Sequence, residues 1–188
     1  MWYNMSYKAP LGSTTDFGNV KIGTGLSVTN GVISASTGLL NYGFVTDNTT
    51  QTNPVASAIN LVTFNTLGPA NGVSIVGGTQ ITVVTAGTYT KLFTVTVSKT
   101  SGGTGDVSIW LRLNGVDVVG SRQDLELTNT LALIFASGNF TLNIPAGGNI
   151  QLCWSSADTT VTLTTLPAAV APIRPTGNSA KITLTRIS

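Results

Sequence analysis

From about residue 60 to the end of the chain, apolar and polar residues alternate in short runs, each bounded by Gly, Pro, Asn or Ser. Period two is the signature of strands that bury one face and wet the other. The runs are Asn60–Leu67, Val73–Val76, Gln80–Val84, Thr88–Lys99, Val107–Asn114, Asp124–Leu127, Leu131–Ala136, Phe140–Ile144, Asn149–Trp154, Thr160–Leu166 and Ala180–Ile187. No stretch keeps a three-to-four-residue apolar period between caps, and the abundance of Thr, Val and Ile disfavours helix. The spacing predicts an all-β sandwich or barrel. Ahead of it, Gly18–Thr37 repeats the pattern in miniature: Val20-Lys21-Ile22, Leu26-Ser27-Val28 and Val32-Ile33-Ser34 lie around glycine turns. Asn30-Gly31 supplies the positive φ angles of a tight hairpin. Such a ribbon has almost no core. It is expected to be covered either by the same segment of other copies of the chain or by its own domain.

Alternation also assigns facing. Tyr89, Phe93, Val95 and Val97 share the core side of one strand with Lys91, which is expected near an end, snorkelling to water. Leu92, Thr94, Thr96 and Ser98 take the other side. Val107, Ile109, Leu111 and Leu113 point inward, which turns Ser108, Trp110, Arg112 and Asn114 outward. Trp110 is then either covered by a neighbouring loop or, with Arg112, an anchor between subunits, a role in which both residue types are enriched. Ile150, Leu152 and Trp154 form another inward set.

Charge changes this picture by its scarcity. Charged residues are 9% of the 188 residues, with nine Lys and Arg against seven Asp and Glu, while hydrophobic residues reach 41%. That balance opposes disorder, and hydroxyl-rich surfaces lose less on desolvation than ionic ones. No basic run supports nucleic-acid binding. No apolar run approaches the length of a membrane helix, and residues 1–8 lack the form of a secretory signal. With a single cysteine, Cys153, no intrachain disulfide or cysteine metal cage is expected.

Catalysis finds little material. The chain has no His, which removes His-based nucleophile pairs and metal sites. Cys153 has no base and is expected to be a small buried hydrophobe. Asp124 and Glu126 could pair as glycosidase carboxylates, but Arg122 beside them makes a solvated surface cluster the simpler reading. Ser101–Gly105 leads into a strand rather than a helix and is a flexible turn, not a phosphate loop. The chain is expected to be no enzyme and to hold no cofactor or metal.

The segment from Val62 to Ile187, above all AGTYTKLFTVTVSK, DVSIWLRLNGVDVVGS and IPAGGNIQLCWSSADTTVTL, resembles the trimeric jelly-roll heads of the tumour necrosis factor and complement-like superfamily, in versions found in bacteriophage structural proteins. Gly87-Thr88-Tyr89, Asn114-Gly115 and Gly147-Gly148 through Trp154 carry the likeness in order. Where many such heads have Gly-Asp in the late turn, this chain has Gly147-Gly148-Asn149, so no calcium-binding acid is carried over. Gly18–Thr37 in turn resembles the β-structured shafts of trimeric viral fibres.

These resemblances imply a jelly-roll sandwich behind a short shaft-like segment: residues 1–17 as an attachment segment, 18–43 as the shaft or ribbon, and 44–188 as the head. Trp2, Tyr3, Met5 and Tyr7 are sticky for a free tail and are expected to dock onto another virion protein. Leu26, Val28, Trp110 and Arg112 are expected at a trimer interface. The implied function is a homotrimeric fibre or spike in the virion, assembled in the host cytoplasm, with its head turned to a host glycan or protein. Two alternatives stay open, a capsid-decoration protein and a carbohydrate-binding adhesive module.

Overall fold

A computed structural model describes residues 26–29, 32–35, 40–130 and 133–188. Trp2, Tyr3, Met5 and Tyr7 lie outside the described residues, as does Val20-Lys21-Ile22. The chain divides into two units, Met1–Leu39 and Leu40–Ser188.

In the first unit, β1 (Leu26–Thr29) pairs antiparallel with β2 (Val32–Ala35), Thr29 opposite Val32 and Leu26 opposite Ala35. This is the pairing that a two-residue connection at Asn30-Gly31 demands.

The second unit is built from β3 (Tyr42–Asp47), β4 (Gln51–Thr52), β5 (Asn60–Leu61), β6 (Thr66–Asn71), β7 (Val73–Val76), β8 (Gln80–Val83), β9 (Gly87–Lys99) and β10 (Gly105–Leu113). It continues through β11 (Val116–Asp117), β12 (Gln123–Leu127), β13 (Leu133–Ile144), β14 (Asn149–Ser155), β15 (Val161–Leu163), β16 (Ala169–Val170), β17 (Ile173–Arg174) and β18 (Ala180–Arg186). One sheet runs β7-β8-β14-β10, with β12 and β11 along β10 and β5 along β14. The other runs β6-β3-β18-β9, with β13 on the far side of β9 and β15 carrying β4. The principal strands divide between layers, β3, β9, β13 and β18 in one sheet and β8, β10, β12 and β14 in the other, and the chain changes layer at each step except from β10 to its neighbour β12. Two four-stranded antiparallel sheets in that order are a jelly roll.

The core lies between them. Tyr89, Phe93, Val95 and Val97 are buried against Ile109, Leu111, Ile150, Leu152 and Trp154, and Ile182 and Leu184 complete the layer. The facing expected from alternation holds at each of these positions. It holds at Lys91 as well, which corrects the expectation that this lysine snorkels at a strand end. Lys91 is 1% exposed, opposite Phe140 and Leu184 in the sheet, and its Nζ has no hydrogen-bond partner among the described residues. Its strand is pinned on both sides by apolar neighbours, so the period-two rule carries the lysine inward.

The two-residue strands β4, β11, β16 and β17 were not expected, and three longer assignments differ from the sequence reading. Leu131–Ala136 and Phe140–Ile144, expected as two strands, form the single strand β13 through Ser137-Gly138-Asn139. Gly138 is a packing hole here: a Cβ would stand 2.6 Å from ring atoms of both Phe93 and Phe140, whose rings stack at 6.1 Å. Gly138→Ala should therefore cost about 1–3 kcal/mol through overpacking. A urea midpoint unchanged from wild type would show that the rings yield freely.

Asn60–Leu67 divides where the chain crosses between sheets, Leu61 pairing with Cys153 and Leu67 with Val45. The crossing is anchored by buried Val62 and Phe64, whose N–H groups donate to the carbonyls of Leu152 and Gly78. Strand β3 was not anticipated. Gly43 interrupts its pattern, yet only glycine lets Val73 approach, since a Cβ there would lie 2.6 Å from the valine.

Candidate interaction surfaces

The two outer faces of the sandwich differ in chemistry. On the sheet holding β9, outward positions are Tyr42 and Phe44 of β3, Thr183 and Thr185 of β18, Thr90, Leu92 and Thr94 of β9, and Leu133, Phe135 and Ser137 of β13. Register sets Phe44, Thr183, Leu92 and Asn139 in one row across four strands. Lys181 is the one charged side chain at the outward positions of β3, β18, β9 and β13. The apolar members are open to solvent, Phe135 being 57% exposed and Leu92 48%. Beside Phe135 the face dips into a hollow of about 260 Å³, lined also by Phe44, Thr94 and Lys181. β13 closes the sheet as a twelve-residue edge, and a long, apolar, unpaired edge invites another chain.

The opposite face carries the charges. Asp106, Ser108, Trp110 and Arg112 alternate outward along β10, and register brings Asp124 opposite Ser108, Glu126 opposite Asp106 and Asp117 opposite Arg112. The Trp110 indole N–H donates to Asp117 Oδ1 at 2.8 Å, and Arg112 Nε donates to the same oxygen at 2.8 Å. These bonds, the guanidinium's first, hold the Asp117 carboxyl below the usual carboxylate range. A second cluster repeats the arrangement: Arg122 Nε and Ser108 Oγ both donate to Asp124 Oδ1, at 2.8 and 2.6 Å, and lower that carboxyl too. Between the clusters lies an open groove of about 440 Å³, lined by Trp110, Ser108, Asp117, Val119, Arg122 and Ser155 among others.

One wall of the groove is a fixed turn. Asn114 (φ +50°) and Gly115 (φ +81°) make the two-residue connection between β10 and β11, as that dipeptide does in tight hairpins. The chain then returns through Val118, Val119 and Gly120 to Ser121. Buried Ser121 staples this return, its Oγ accepting from Leu111 N at 3.0 Å and donating to Val118 O at 2.7 Å. Beneath, Cys153 pairs with Trp110 across the β10–β14 register. Burial pushes its thiol up to about 11, so it stays protonated and unreactive at neutral pH.

The expected interface residues divide between the two units. Trp110 and Arg112 share Asp117 on the charged face, while for Leu26 and Val28 the backbone pairing of β1 and β2 is described. Asp117 escaped the sequence reading although the signal was present. An Asn114-Gly115 hairpin pairs Leu113 with Val116, which places Arg112 opposite Asp117.

Topology and faces together define the head as a jelly-roll β-sandwich with one charge-poor and one charge-rich outer face. Among solved structures it is similar to the globular domain of zebrafish complement 1qA protein, with a TM-score of 0.48 and 16% identity over 79% of this chain and 98% of that one. No family model matches the chain, and no curated protein matches it.

Proposed function

We propose that this chain is a non-catalytic structural protein of a virion: a homotrimeric fibre or spike, attached through its N-terminal segment and carrying the jelly-roll head. The observation that carries the reading is the apolar, hydroxyl-rich outer face of β3, β18, β9 and β13, on which Lys181 is the one charge. Identical copies can meet on such a face with little opposition of like charge, Lys181 being its one cation, and its Thr and Ser hydroxyls can find hydrogen-bond partners there. In this reading the copies meet through Phe44, Leu92 and Phe135 rather than through Trp110 and Arg112, whose indole N–H and Nε Asp117 already engages. The N-terminal likeness to fibre shafts, ahead of a head with a self-association face, supports a place in the virion over a free soluble module.

Sedimentation of the purified chain should show a trimer at micromolar concentration. Leu92→Asp combined with Phe135→Asp should weaken association at least about a hundredfold, because an unpaired carboxylate in an interface pays its desolvation. The circular dichroism should be unchanged. A monodisperse wild-type monomer overturns the assembly. Immunogold labelling of purified particles with an antibody to the head tests the location, and unlabelled intact particles overturn it.

A further inference from the structure

We infer that the groove beside Trp110 binds a neutral pyranose unit of a surface carbohydrate. This goes beyond the trimer reading and does not rest on it, since the groove lies on the sheet opposite the self-association face.

Trp110 supplies an apolar ring that is half-buried and held in orientation by its bond to Asp117. A ring fixed before binding loses little further entropy when a flat C–H face of a sugar stacks on it. The polar groups lining the groove with it are already positioned: Asp117 uses Oδ1 in the bonds above, Arg122 is held by Asp124, and Ser108 and Ser155 add hydroxyls. A carboxylate whose second oxygen still has acceptor capacity, beside a guanidinium with further N–H groups, can accept from one sugar hydroxyl and donate to another.

Charge selects against other ligands. Arg112 is paired with Asp117 and Arg122 with Asp124, so the two clusters sum to zero. A phosphate, sulfate or uronate would face the Asp117 carboxylate with both guanidiniums already paired, and a cation would meet an acid already committed to Arg112. A neutral polyol disturbs neither pair. The groove's 440 Å³ falls in the ordinary range of small-molecule sites. Its open form admits an internal or terminal unit of a chain. Val119 stands at its mouth, 99% exposed, where a larger side chain can close the groove without touching the core.

The test uses the full chain with a panel of methyl glycosides of glucose, galactose, mannose and N-acetylglucosamine and their neutral trisaccharides. Glucose 6-phosphate and a sialylated trisaccharide serve as charged comparisons. Binding is followed by tryptophan fluorescence and by the Trp110 indole signal in ¹H–¹⁵N spectra. At least one neutral sugar should shift that signal with millimolar affinity, and the charged sugars should bind no better. Trp110→Ala should weaken binding at least about tenfold. Val119→Trp, which keeps the sandwich packing, should do the same by filling the groove. The proposal is overturned if no neutral sugar moves the Trp110 signal, if binding survives Val119→Trp, or if the charged sugars bind preferentially. Because the monomer carries the whole groove, loss of trimers in sedimentation would leave this result standing.

Discussion

Replacing Lys91 with Met should make the protein more stable, by about 3 kcal/mol at pH 7. The Lys91 side chain lies inside the sandwich, 1% exposed, with no partner for its Nζ among the described residues. Burial pushes its amine from 10.5 down to about 8. At about 1.4 kcal/mol per unit, a drop of that size is roughly 3 kcal/mol of disfavoured charge. Methionine has similar length and no charge, and apolar replacement of buried ions is often stabilising by about 1–4 kcal/mol. The pH dependence identifies the cause. Below about pH 8 both folded and unfolded chains hold the proton, so the penalty is complete. Between about pH 8 and 10.5 the unfolded chain holds a proton that the folded chain has released, and wild-type stability rises with pH. Urea unfolding of both proteins at pH 7 and near pH 10 should therefore show a large gap that narrows. A variant no more stable than wild type at pH 7 would mean that the ammonium is solvated or paired.

Asp158→Ala should do the reverse and cost about 3–5 kcal/mol. Eight residues along the same strand, Lys99 is equally buried, but its Nζ is bonded to the Asp158 carboxylate. Thr160 N and Oγ1 donate to the other carboxylate oxygen at 2.8 and 2.7 Å. Gly105 leaves room for the amine, since a Cβ there would stand 2.9 Å from Nζ. Removing the acid strands a buried cation, which is the expensive way to break a pair. Lys99→Met, which leaves only a partly exposed, Thr160-bonded carboxylate, should cost less. The Lys99 bond first, and then those from Thr160, lower the Asp158 carboxyl to about 2. Its contribution is complete above about pH 4 and is lost as pH falls through 2. Asp117 and Asp124 are lowered as well, so the diagnostic is the difference between wild type and Asp158→Asn over that window. Equal acid sensitivity in the two proteins would remove the pair from the account.

These two lysines mark the boundary of what alternation can say. Both occupy inward positions of β9, and their sequence neighbourhoods say only that an amine points at the core. The partner of Lys99 lies 59 residues away in sequence, and Lys91 has none among the described residues. One substitution strategy therefore has opposite signs at two sites that look alike in the chain. Gly138 teaches the same lesson for glycine. Beside Asn139 it reads as a turn, whereas its role is to admit the stacked rings of Phe93 and Phe140.

The sequence by itself determined the all-β class, the inward sets of β9, β10 and β14, and the hairpin pairing of β1 with β2. Those follow from period two and from the φ angles that few residues adopt, both of which are local. Only the tertiary structure decided that β3 belongs in the middle of a sheet, that Asp117 holds Trp110 at the edge of a groove, and that charge gathers on one outer face. Each of those depends on which strands lie side by side, and strand order is set by the burial of the whole core rather than by any one segment of the chain.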